Sequence, residues 1–90
     1  MAALTKKGLV DKFAKAIENG DNYIGIKVSL QNAPEPEIII NPATNIQSKL
    51  EYYQKAYDDS LRLLHCKDIR IIKCASGNSI ADIAKVLGEK

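Results

Sequence analysis

The sequence predicts an α+β domain of two layers, in which a three-stranded sheet is covered by one long central helix. Three observations carry that expectation. Apolar residues recur with helical spacing over 5–19, 44–65 and 79–87, they alternate with a period of two over 23–30, and β-branched residues cluster at 38–40 and 69–72. The element order is αββαβα, and 90 residues leave room for a single core, so one domain is expected to span 1–90.

The first helix is expected over about Thr5 to Asn19. Leu9, Val10, Phe13, Ala16 and Ile17 fall on one side of a helical wheel, and Lys7, Asp11, Lys12, Lys15 and Glu18 on the other. Asn19, Gly20, Asp21 and Asn22 tolerate left-handed backbone and form the exit. Ile24, Ile26, Val28 and Leu30 then alternate with Tyr23, Gly25, Lys27 and Ser29, which reads as a strand buried on one face. Gln31 to Pro36 carries two prolines and is a loop, and Glu37 to Asn41 is a β-branched strand, most simply the antiparallel partner of the first.

The central helix has two possible starts. Thr44 with Gln47 has capping-box spacing, and Asn41 before Pro42 has the spacing of an N-cap with proline at the first helical position. Ile46, Leu50, Tyr53, Tyr57, Leu61 and Leu64 form one stripe, while Glu51 with Lys55 and Asp58 with Arg62 are acid-before-base pairs at i, i+4. Those pairs extend the expected helix to about His65. A third strand is expected from Asp68 to Cys74, its direction open, with a turn over 75–78. Ser79 and Asp82 then open a short helix with Ile80, Ile83, Ala84 and Leu87 as its buried stripe.

Composition narrows the function classes. A hydrophobic share of 46% against 27% charged argues against disorder, and a net charge of +2 with acids interleaved among bases leaves no charged tail. No apolar leader is visible from Met1 to Lys7, and no stretch reaches the roughly 18 apolar residues of a membrane helix. The expected location is the cytoplasm, with Cys66 and Cys74 as free thiols in preference to a disulfide between them, and no membrane contact.

No constellation reads as a catalytic or metal site. His65, Cys66 and Cys74 are too few for a structural zinc and lack paired spacing, so neither metal nor cofactor is expected. The pairs Glu35 with Glu37 and Asp58 with Asp59 belong to an exposed loop and a solvated helix face, not to a pocket. Gly77-Asn78-Ser79 reads as an ordinary N-cap. Tyr52 and Leu63 lie off the central stripe and mark a second, partly apolar face of the long helix. It either packs within the chain or receives a partner, and as a contact surface it comprises Tyr52, Lys55, Asp59 and Leu63. The alternative is weak nucleic-acid binding through Lys6, Lys7, Lys12 and Lys15 of the first helix, or Lys67, Arg70 and Lys73 near the third strand. No aromatic platform interleaves with either set.

The runs Tyr23-Ile24-Gly25-Ile26-Lys27-Val28, Pro36-Glu37-Ile38-Ile39-Ile40-Asn41-Pro42, Lys49-Leu50-Glu51-Tyr52-Tyr53 and Ala56-Tyr57-Asp58, with the later Gly77-Asn78-Ser79-Ile80, resemble small uncharacterised proteins of Firmicutes prophages and mobile elements. The resemblance implies a genomic setting and carries no activity or binding residues. By analogy it implies an adaptor or regulator that binds host or phage components; the second helix face leaves open a further copy of this chain as the partner. The expectation is therefore a non-enzymatic interaction or regulatory module.

Overall fold

A computed structural model describes residues 4–31 and 33–88. Asn32 of the expected loop and the ends of the expected domain, 1–3 and 89–90, lie outside the described residues. The chain forms α1 (Lys6–Asn19), β1 (Tyr23–Leu30), β2 (Glu37–Pro42), α2 (Ala43–Ala56), β3 (Arg62–Leu63), β4 (Cys66–Gly77) and α3 (Ile80–Gly88). The fold is α+β as expected, but the sheet has four antiparallel strands in the order β2-β1-β4-β3 instead of three. β1 and β4 are the inner strands, with β2 and β3 at the edges.

Helix α1 starts where the Thr5 hydroxyl accepts the Gly8 N–H at 3.2 Å and ends at Gly20, whose left-handed φ of 70° turns its N–H back onto the Ala16 and Ile17 carbonyls. Leu9, Phe13 and Ala16 are buried, whereas Ile17 is exposed at the edge of the stripe. Helix α2 has neither expected cap. Its N-cap is Pro42, without a side-chain bond, and the Ala43 N–H is taken by the Asn22 carbonyl at 2.7 Å. The β1–β2 ladder therefore runs directly into the helix and satisfies its first donor.

The long helix to His65 is not formed. α2 ends at Ala56, and Tyr57 is already extended. The Asp58 carboxylate accounts for the break: Oδ1 accepts the N–H groups of Ser60 and Arg62 at 2.9 and 3.0 Å. A short acceptor side chain that captures nearby backbone donors competes with helix propagation. Residues 57–63 instead make a tight hairpin, closed by a bridge between Tyr57 and Leu63 and by the Asp58 N–H on the Arg62 carbonyl. The last loop residue of such a three-residue turn takes left-handed backbone, a position that glycine usually fills. Here it is Leu61, at φ 62°. Its side chain is fully buried, and that burial holds a conformation that costs a branched residue about 1–2 kcal/mol. The stripe Ile46, Leu50, Tyr53, Tyr57, Leu61 is thus buried throughout, although only its first three members are helical; Leu64 is exposed.

Strand β4 is longer than expected, running from Cys66 through Gly77, with the expected turn at 75–77 paired instead to β1. An extra residue on β4 near Ile72 shifts the register between Lys27 and Val28. The two-layer arrangement is also corrected. Ile24, Ile26 and Val28 of β1 join the core cluster with Leu9 and Phe13 of α1 and with Ile46, Leu50 and Tyr53 of α2. On the opposite face, a side chain at Gly25 would come within 2.8 Å of both Ile83 and Leu87 of α3. The sheet is therefore covered on both faces, by α1 and α2 on one and by α3 on the other. Aromatic edge contacts tie the larger layer together: Phe13 meets Tyr53 at 5.8 Å between centroids, and Tyr53 meets Tyr57 at 5.7 Å.

Two substitutions test this packing. Gly25→Ala forces α3 off the sheet and should destabilise by about 1–3 kcal/mol in urea unfolding, as overpacking does; an unchanged midpoint would refute the close approach. Leu61→Ala should cost about 2–5 kcal/mol by cavity formation. Leu61→Gly removes the same side chain but relieves the left-handed strain, so it should be no less stable than Leu61→Ala, which reverses the usual order of alanine and glycine.

Candidate functional site

The groups proposed from sequence are dispersed by the break at Tyr57. Tyr52 and Lys55 remain on α2, both exposed; Tyr52 rests its ring edge near Tyr53 at 5.6 Å, with the Lys49 ammonium 6.0 Å from its centroid. Asp59 is in the hairpin loop, where its carbonyl accepts the Lys6 N–H at the start of α1. Leu63 belongs to β3 and packs half-buried against the core. The single helical face on which these residues were expected to align is therefore absent.

The cations expected to meet nucleic acid are largely engaged within the chain. Lys6 Nζ donates to the Gln54 carbonyl at 2.7 Å, Lys67 Nζ to Asp58 Oδ2 at 2.7 Å, Arg70 Nε to the Ser60 carbonyl at 3.2 Å and Lys73 Nζ to the Val86 carbonyl at 3.0 Å. Lys7, Lys12 and Lys15 are exposed along α1. A phosphate backbone would have to displace the first group from bonds that fix the hairpin and α3, which weakens a phosphate-tracking surface.

Groups with catalytic potential do not converge. His65 lies in the β3–β4 turn rather than at a helix end, and Cys66 and Cys74 are free, at two points along one strand. At about 3.3 Å per residue they stand more than 20 Å apart, far beyond the span of a disulfide. Burial pushes the Cys74 thiol up to about 12, partly opposed by the charge of Lys12, so it is not a nucleophile at neutral pH. Burial, with smaller contributions from Tyr57, Cys74 and Tyr52, likewise pushes the Tyr53 hydroxyl to about 12. Among the described residues no three His, Cys, Asp or Glu side chains gather as metal ligands. A hollow of about 360 Å³ beside Leu30 and Ile69 holds one thiol, Cys66, and one carboxylate, Asp68.

What the fold does expose is the outer edge of β2. The Ala43 N–H bond to Asn22 continues the ladder in which Ile24, Ile26 and Val28 face Asn41, Ile39 and Glu37. Backbone groups alternate in direction along an antiparallel strand. Those of Glu37, Ile39 and Asn41 therefore point into β1, and those of Ile38 and Ile40 point away from it, toward the side on which, among the described residues, β2 has no neighbouring strand. Pro36, just before the strand, and Pro42, its last residue, flank these positions and carry no N–H. Ile38 and Ile39 are 38% and 37% exposed, on opposite faces of this edge. Beside Ile38, on the α3 face, Lys27, Glu35, Pro36 and Gly88 line a hollow of about 370 Å³. The sequence signal for this surface was present as Pro36 and Pro42, but their common direction depends on the register.

The hairpin that replaced the long helix is held by charge. Lys67 and the backbone donors of Arg62 and Ser60 keep the Asp58 carboxyl near 2, below the usual 3.8. A carboxylate with a lowered native pKa stabilises the fold above the ordinary value and loses that contribution as pH falls toward the native one. Denaturant midpoints should therefore drop between pH 4 and 2, and Asp58→Asn should flatten that drop; an unchanged acid limb in the variant would show that the turn does not depend on the charge.

No helix among the described residues is long and apolar enough to cross a membrane. Comparisons with protein-family models, with curated proteins and with solved structures find no match to this chain.

Proposed function

We propose that the chain is a non-enzymatic protein-interaction module whose contact surface is the open edge of β2. One observation supports this reading above the others: the outward N–H and C=O groups of Ile38 and Ile40 flank exposed isoleucine side chains on both faces of the strand. An edge of that composition accepts an extended segment, which gains main-chain hydrogen bonds while its side chains cover apolar surface. The dispersal of ionisable groups supports binding over catalysis. A regulatory role in the cytoplasm, in the prophage or mobile-element setting that the resemblance implies, belongs to the same proposal.

Titration of the labelled protein with short, end-capped, valine- and isoleucine-rich peptides tests it by amide chemical shifts. Shifts should centre on Ile38 and Ile40 and disappear in Ile38→Pro, which removes an outward donor and leaves the inner ladder intact. Shifts confined to Tyr52 and Lys55 would move the contact surface to α2. A salt-sensitive response to oligonucleotides centred on Lys7, Lys12 and Lys15, with none to peptides, would favour the nucleic-acid alternative.

A further inference from the structure

We infer that the strand received by the β2 edge is β2 of a second copy of this chain, paired antiparallel about Ile39. This rests on the reading of β2 as the contact surface and names its occupant.

The distribution of donors carries the inference. Between Pro36 and Pro42 the outward donors are the N–H groups of Ile38 and Ile40. When a second β2 runs antiparallel with Ile39 opposite Ile39, Ile38 of each copy faces Ile40 of the other. Both are outward-pointing residues, so they exchange N–H and C=O reciprocally, as a hydrogen-bonded antiparallel pair requires. Every outward donor of the edge is then satisfied. The next positions place Pro36 opposite Pro42, neither of which has a donor to satisfy. A strand of unrelated sequence would instead bring its own donors and acceptors against prolines that can answer only half of them.

Charge and side chains agree with that register. Glu37 falls opposite Asn41, so no like charges meet across the new ladder. Ile38 and Ile40 lie on the α3 face, as the Ile40 contact with the Gly25 position shows. The copy's Ile40 would therefore lie beside Ile38 and the hollow lined by Lys27, Glu35, Pro36 and Gly88. Ile39 meets its own equivalent on the α1–α2 face, where non-hydrogen-bonded residues approach most closely. The arrangement is isologous and consumes the β2 edge in both copies. An isologous contact uses the same surface in both copies, so this contact closes at the dimer.

Sedimentation equilibrium over about 10 µM to 1 mM, the range suited to a small interface, tests the inference. The wild-type mass should rise with concentration toward that of a dimer, and Ile38→Pro, its fold checked by circular dichroism, should associate at least ~10-fold more weakly. Ile39→Lys and Ile39→Glu should each weaken association at least ~10-fold, and an equimolar mixture of the two should restore it, because residue 39 faces itself only in this register. A wild-type monomer at the highest concentration, wild-type association by Ile38→Pro, or a mixture that stays monomeric overturns the self-pairing. If Ile38→Pro does not fold, the charge-swapped pair decides alone. A wild-type monomer whose Ile38 and Ile40 amides still respond to extended peptides removes the second copy but keeps the edge as the contact surface; no response removes both.

Discussion

Gly25 places no side chain between β1 and the Ile83 and Leu87 side chains of α3, and the thickness of the molecule follows from that gap. With α3 pressed onto one face and α1 and α2 onto the other, β1 is buried in both directions at its centre. It is also paired on both edges, to β2 and to β4. A chain of 90 residues has little apolar area to spare, and placing one strand at the centre of every layer lets a small set of side chains serve two cores. The cost is directional. All coverage converges on β1, so the strands beyond it become progressively less protected.

Much of this was legible in the sequence. The helical period of α1, the alternation in β1 and the β-branched run in β2 each lie where the patterns place them, because local spacing there agrees with the tertiary environment. Gly25 read as one member of the polar-face set, since a glycine in a strand gives no hint of whether a helix approaches it. The apolar α3 stripe needed a surface to cover, and the two-layer expectation assigned none. That omission, more than any misread residue, hid the second layer.

The break after Ala56 failed for a different reason. Helical spacing of buried residues from Ile46 to Leu61 is real, but burial at i, i+3 and i+4 does not require helix when a tight hairpin returns the chain to the same core. Asp58 and Arg62 did pair, through the Arg62 backbone N–H rather than its guanidinium, which donates to the Lys67 carbonyl. A carboxylate four residues before an arginine therefore supports either conformation. Leu61 decides against recognition from sequence altogether: the loop position it fills calls for glycine, and only its complete burial makes leucine tolerable there.

The candidate contact surface shows how far residue identity alone can go. Pro36 and Pro42 mark loop and helix start in the sequence, and both assignments hold in part, since α2 begins directly after Pro42. Their further property, facing the same outward direction six residues apart along an even-spaced strand, exists only once the ladder with β1 fixes which carbonyls and amides turn inward. Proline at an edge is usually protective, because it removes donors that would recruit other chains. Here the protection is incomplete by two residues, Ile38 and Ile40, and those two carry apolar side chains instead of the lysines that commonly guard an edge. On the proposed self-pairing, an edge closed to long strands but open to a two-residue reciprocal pair selects its partner by length and symmetry more than by side-chain chemistry. This is why a surface with few specific contacts can still be discriminating.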